Sequence, residues 1–323
     1  MGAKLSVILT IALVAGFMSE PFARADDYPT KPVRLVVAIP PGGNADLVAR
    51  LVGQKLTDVL GRPFVVDNRG GAGGVIAEEL VSRSAADGYT ILLVSMAHVV
   101  NPSLNKTLPY DSIKDFMPVS LVVSVPNALV VHNSLSVHSV PELISLARAK
   151  AGQLNYASSH GTSLHLAGEL FKAMAGVDIV NINYKSGGLA IPDLEAGRVQ
   201  MAFSVITTAL TLVKSGRMRA LAVTSAKRSP VMPELPALAE IVPGFDLTGW
   251  QGILAPAGTS RAIVLRLSDE IAKIMRMPEV RNKLTAMGAD PIGSTPEEFA
   301  AFRKTEFAKL SKLVLKAGIK ADY

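Results

Sequence analysis

What most constrains this chain is a local grammar repeated along it: a short β-branched run, a turn rich in Gly, Ser or Asn, then an amphipathic helix. The first unit runs from Val33 to Ile39, through Pro40-Pro41-Gly42-Gly43-Asn44, into a helix from Ala45 to about Leu60. Val48, Leu51, Val52, Leu56 and Val59 recur at the i, i+3, i+4 spacing of a core-facing stripe. The second unit is Phe64-Val65-Val66, a turn from Asp67 to Gly74, and a helix through Val81. A third strand follows from Thr90 to Ser95. Strands alternating with helices predict an α/β fold with mainly parallel sheets flanked by helices.

The grammar breaks once and resumes. Val119 to Val131 is apolar enough for one strand, but Pro126 cannot serve a central ladder throughout, which fits a segment crossing between two lobes. Beyond it come a helix from Pro141 to about Lys150, a strand Leu154 to Ser158, and a helix reaching Ala175. Then follow a strand Ile179 to Tyr184, a short helix ending at Gly197, and strands Val199 to Val205 and Ala220 to Thr224. The proline-rich stretch Ser229 to Gly244 reads as a surface connection, and Thr248 to Ala255 as a second crossing strand. Three helices close the chain, starting near Thr259-Ser260, at Pro278, and behind the capping box Thr295-Pro296-Glu297-Glu298. Two crossings predict a discontinuous first lobe, residues 26–125 with 252–323, and a second lobe, 126–251, with a cleft between them.

The start of the chain has its own logic. One cation, Lys4, precedes an apolar run from Leu5 to Phe17 and a polar stretch ending Ala23-Arg24-Ala25. That is the pattern of a signal peptide, residues 1–25, cleaved before Asp26, and it is too short to span a bilayer. No later run is long and apolar enough to do so. The absence of cysteine excludes disulfides, thiolate metal sites and a lipid on an N-terminal cysteine. The formal charge of +6 comes from scattered residues, and only 5% of the chain is aromatic, unlike a clustered basic face with stacking rings for nucleic acid.

Four strand-to-helix turns stand out: Gly42-Gly43-Asn44, Arg69 to Gly74, Ser158 to Ser163, and Lys185 to Gly188. Ligands of open parallel sheets settle beyond the carboxyl ends of strands. There the first N–H groups of a helix and its dipole favour an anion, glycine permits close backbone approach, and hydroxyls add donors. The same residues also serve as ordinary caps and tight turns, whatever the ligand. Enzyme signatures fail. Ile76 stands where Gly71 and Gly73 would require a third glycine, and no Gly-Lys pair, H-E-x-x-H or G-x-S-x-G occurs. His160 and His165 are five apart, not one helix face, and His132 and His138 fall in a loop, so no metal site is predicted.

Longer strings carry a resemblance. Tyr28-Pro29-Thr30-Lys31-Pro32-Val33 running into Pro40-Pro41-Gly42-Gly43-x-x-Asp46 resembles the start of the mature Bug family, the periplasmic solute receptors of tripartite tricarboxylate transporters. Asn68 to Gly74, Ala86 to Thr90, Asn101 to Leu104, Leu108 to Asp111, Leu154 to Ser158, His165 to Phe171, Leu221 to Ser225, Trp250, and Leu254 to Thr259 extend it over the whole mature chain. The resemblance implies a two-lobed periplasmic-binding-protein-like (type II) fold that binds a small carboxylate, without catalysis or cofactor. The loaded receptor, expected as a periplasmic monomer, would present its ligand to permease subunits in the membrane. A ligand-presenting sensor is the alternative role, and a periplasmic hydrolase a more remote one.

By the same resemblance the first lobe supplies Pro41, Gly42, Gly43, Asn44 and Asp46, and the turn after the third strand supplies Ser95 and His98. The second lobe supplies Ala157, Ser158, Ser159, Thr162 and Ser163, then Tyr184, Lys185, Ser186 and Gly187. One departure stands out. Where many family members read Phe-Asp-Asn before Leu-Pro, this chain reads Phe203-Ser204-Val205-Ile206-Thr207. With Ser204 and Val205 on that wall instead of a carboxylate, the implied ligand has no cationic amine there. Asn44 and His160 also stand where the family more often has Ser/Thr and small residues.

Overall fold

The computed structural model describes residues 27–159, 162–184 and 187–317. The expected signal peptide, His160, Lys185 and Ser186 lie outside the described residues.

The first sheet takes the order β11-β4-β10-β3-β1-β2. Its strands are β1 (Val33–Val37), β2 (Phe64–Asn68), β3 (Thr90–Ser95), β4 (Phe116–Val125), β10 (Gly249–Pro256) and β11 (Asp290–Pro291). The second sheet, order β7-β6-β8-β5-β9, holds β5 (Asn127–His132), β6 (Asn155–Ser159), β7 (Val180–Tyr184), β8 (Met201–Val205) and β9 (Met218–Val223). Helices α1 (Asn44–Leu60), α2 (Val75–Ser82), α3 (Ala97–Leu104), α8 (Arg261–Arg276), α9 (Pro278–Ala286) and α10 (Pro296–Ala317) accompany the first sheet. Helices α4 (Val140–Ala149), α5 (Ser163–Ala175), α6 (Ile191–Glu195) and α7 (Ile206–Lys214) accompany the second.

Both sheets are mixed, where mainly parallel ones are expected. β1 pairs in parallel with β2 and β3, and β6 with β7 and β8, because each of these follows a helical crossover. β10 runs antiparallel to β3 and β4, and β5 antiparallel to β8 and β9. The cause is the connection. β4 passes straight through Pro126 into β5, so the chain enters the second sheet without a crossover helix. Val125 pairs with Gly249 in one sheet while Asn127 pairs with Val205 in the other, which places the passage at Pro126. The second expected crossing strand begins at Gly249 and pairs within the first sheet throughout.

Burial explains the helices. On α1 the stripe is Ala45, Val48, Ala49, Val52 and Leu56, one notch round from the expected line, so Val59 is exposed at its end. Gly61, at φ +69°, ends the helix with its N–H on the Thr57 carbonyl. Trp250 on β10 meets α10 through edge contacts with Phe299 (5.8 Å) and Phe302 (5.5 Å). Gly252 makes this possible, since a Cβ there would sit 2.2 Å from the Phe299 ring. One apolar core therefore runs from Val36 and Leu92 through Trp250, Phe299 and Leu310 to Tyr156 and Phe171 of the second sheet. Each large ring sealed there contributes about 2–3 kcal/mol.

Beneath this core lies a buried ionic group. Glu78 on α2 meets His98 Nδ1 at 2.8 Å, and His98 Nε2 lies 3.3 Å from Arg303 Nη1 on α10. All three residues are at most 3% exposed.

Candidate functional site

A cleft of about 450 Å³ opens between the two sheets, lined by residues of both. The turns after β1, β2 and β3 reach it with Asn44, with Gly71, Gly73 and Gly74, and with Ser95, Met96 and Ala97. From the second sheet come Asn127, Thr162, Ser163 and Val205, and β10 supplies Gly249, Trp250 and Gln251. Among the described residues, none that lines the cleft carries a charge.

The helix starts matter most. The N-termini of α1, α2, α3, α5 and α7 all border the cleft, and in none does the N-cap residue's own side chain cap the helix, although at α3 the Ala97 N–H reaches Ser95 Oγ at 3.4 Å. The Thr162 hydroxyl turns back to the Ser159 carbonyl at 2.6 Å instead of capping α5. Away from the cleft the helix starts are of both kinds. Ser139 caps α4 through the Glu142 N–H and the Thr295 hydroxyl accepts from the Glu298 N–H at α10, while α6, α8 and α9 begin without a side-chain cap. It is the convergence of the starts on one cleft that is distinctive. First-turn N–H groups without a cap, facing a cleft, are donors for an anion.

The expected site residues divide into groups. Asn44, Ser95, Thr162, Ser163 and Val205 line the cleft itself. Ala157, Ser158, Ser204 and Val205 line an adjoining cavity of about 180 Å³ in the second sheet's layer. There the Ser158 hydroxyl donates to Asn181 Oδ1 at 2.7 Å. Pro41, Gly42 and Gly43 form the exposed turn ahead of α1, held by Asp46, whose Oδ2 accepts the Gly42 N–H at 2.9 Å. Burial pushes the Asp46 carboxyl up, but the Gly42 N–H and the Arg50 guanidinium outweigh it and hold it below its usual range. Ser159 is buried at the end of β6. Tyr184 donates its hydroxyl to Asp193 at 2.8 Å, which together with burial raises its pKa. Gly187 opens a short 3₁₀ turn to Ala190.

His98 is placed differently from expectation. It is fully buried between Glu78 and Arg303 and is not among the residues lining either cavity. Its partners lie 20 and 205 residues away, so no local pattern announces them. Conversely, Asn101, Asn127 and Gln251 line the cleft without having been singled out as ligand contacts. A signal did exist for two of them: Asn127 and Gln251 are each the lone amide in a largely apolar strand.

The loop after α9 braces the cleft wall. The Met287 carbonyl accepts from Asn44 Nδ2 at 2.9 Å. Gly288, at φ +73°, lies so close to α7 that a Cβ would stand 2.7 Å from methyls of both Ile206 and Thr207.

Known proteins resemble this chain over most of its length. Residues 48–319 match the model of the family described as "Tripartite tricarboxylate transporter family receptor". The chain is 36% identical over 321 residues to protein BugT of Bordetella pertussis, covering 98% of each. It resembles an R. palustris protein solved with adipate at 38% identity and TM-score 0.79, covering 91% of this chain and 99% of that one. MatC of Rhodopseudomonas palustris, solved with bound malate, matches at 29% identity and TM-score 0.74, covering 89% and 100%. Among the described residues, no helix is long and apolar enough to cross a membrane. A two-lobed α/β frame, a cleft ringed by uncapped helix starts and a match over most of its length make this chain a member of the tripartite tricarboxylate transporter receptor family, whose members are solute receptors and not enzymes.

Proposed function

We propose that this receptor is exported by cleavage after Ala25 and, as a monomer in the periplasm, takes a small carboxylate into the cleft and delivers it to a membrane permease. The observation that carries this is the convergence of five uncapped helix N-termini on a cleft whose described lining has no charge. Each hydrogen bond to a carboxylate contributes roughly 1.5–3 kcal/mol. Micromolar binding needs about 8 kcal/mol net, after several more for association, so about six such bonds with some apolar contact suffice. In this proposal the hinges are Pro126 and the segment before Gly249, close to the boundaries of 125/126 and 251/252 expected from sequence.

A panel of di-, tri- and aromatic carboxylates tests it by thermal unfolding. A ligand at 100 times its Kd adds roughly 2.7 kcal/mol. If no carboxylate raises the unfolding temperature, the proposal fails.

Two further results are expected. The wall at Ser204 and Val205 has no carboxylate to meet an ammonium, so aspartate and glutamate should bind at least about 100-fold more weakly than succinate or glutarate. Calorimetric titration checks this; tight binding of either amino acid would refute it. Replacing Asp46 with Ala leaves the Gly42 N–H and Arg50 without their acceptor. The expected cost is about 1 kcal/mol of stability and about tenfold in carboxylate affinity, read by urea denaturation and calorimetry.

A further inference from the structure

The cleft holds a hydrogen-bond relay whose last member has no partner. It begins at the Met287 carbonyl, which can only accept and does so from Asn44 Nδ2 at 2.9 Å. That turns Asn44 Oδ1 towards Gln251, whose Nε2 donates to it at 2.9 Å. Reversing Asn44 would set its oxygen against a carbonyl oxygen, and reversing Gln251 alone would set two amide oxygens face to face. Both amides are therefore fixed head to tail, and the relay ends on Gln251 Oε1. That oxygen is buried, belongs to a residue only 6% exposed, and meets no donor among the described residues. Gln251 lines the cleft, as does Asn127, whose Nδ2 is likewise buried without a partner. Buried polar atoms left without partners are uncommon in folded chains and call for one from elsewhere.

What the cleft asks for at Gln251 is a donor. An ammonium would bring a full charge and three N–H groups to a single neutral acceptor, with no carboxylate among the described lining residues to balance it. A hydroxyl brings one neutral donor, and its oxygen can accept from an amide such as that of Asn127. We propose that the ligand is a hydroxy-carboxylate, its carboxylate at the helix N-termini and its hydroxyl donating to Gln251 Oε1. This rests on the receptor function proposed above. Asn44 thereby acts as a positioning residue, orienting the amide that reads the hydroxyl.

The test uses carboxylates in pairs differing by one hydroxyl: succinate and malate, glutarate and 2-hydroxyglutarate, benzoate and its hydroxybenzoates. Calorimetry on the wild-type mature protein should show, in at least one pair, the hydroxylated member binding about tenfold or more tightly. In Gln251→Met the members of that pair should come within about twofold of each other. Asn44→Leu, which frees the Gln251 amide to turn, should also shrink the ratio, and it serves should Gln251→Met not fold by circular dichroism. Pairs that bind with no gain from the hydroxyl, or a gain that survives both substitutions, would overturn the inference while leaving the receptor function standing. Failure of every carboxylate to bind would overturn both.

Discussion

Replacing Arg303 with methionine is expected to destabilise the protein by about 3–5 kcal/mol, the largest effect on stability anticipated for any single substitution outside the apolar core. The guanidinium sits in α10 at 3% exposure, with Nη1 3.3 Å from His98 Nε2 and 3.4 Å from the Ser112 carbonyl. Burial pulls its pKa down to about 10, against the opposing pull of the Glu78 charge. Methionine keeps much of the side-chain volume, including contact near the Phe299 ring that Arg303 overlies at 5.9 Å. What it removes is the compensation for Glu78, itself 1% exposed. Removing the negative partner as well, in Glu78→Gln with Arg303→Met, should recover much of the loss, because the cost lies in an unbalanced buried charge. Urea denaturation of the single and double variants checks this. A single-variant cost under about 1 kcal/mol would show that the group contributes little.

The second large effect is on binding. Gly288→Ala puts a methyl where 2.7 Å separates it from both Ile206 and Thr207, between the loop after α9 and the start of α7. Overpacking of this kind costs roughly 1–3 kcal/mol. If carboxylate binding uses this close approach of the loop to α7, affinity should fall by about tenfold or more. Positive φ adds a cost of its own, roughly 1–2 kcal/mol, so a control is needed. Gly61 has a matching φ of +69° with nothing within 4 Å of its missing Cβ. Gly61→Ala should therefore lower stability by a similar backbone increment and leave affinity unchanged. Equal affinities for the two variants would contradict the role assigned to the Gly288 contact.

Much of the architecture was legible because local chemistry and tertiary structure agree. The turn after β1 and the start of α5 were readable from Gly-Gly-Asn and Ser-His-Gly-Thr, and Asn44, Thr162 and Ser163 line the cleft. Where they disagree, elements were missed. α7 begins with Ile206-Thr207-Thr208, a β-branched string with little helical signal just after the strand expected to end at Val205, yet Ile206, Ala209 and Leu212 bury one helical face. α3 contains Pro102, which obscures a short helix. The antiparallel β5 and β10 follow from passages between the sheets, which strand–helix alternation cannot encode. For the same reason the site's amides escaped notice. Asn127 and Gln251 sit on strands next to the passages between the sheets instead of on strand-to-helix turns, and only the assembled sheets bring them to the cleft.

The most direct test of the account is a titration read by the protein's one tryptophan. Trp250 lines the cleft and is 2% exposed, so an occupant should change its fluorescence. The protein without residues 1–25, freed of co-purified ligand by unfolding and refolding, is titrated with the carboxylate panel while Trp250 emission is followed, with calorimetry in parallel. A saturable change at one-to-one stoichiometry is expected for at least one carboxylate, with micromolar or tighter affinity and a matching heat. Calorimetry without a saturable heat for any carboxylate, on a protein that has refolded to its native circular dichroism spectrum, would contradict it.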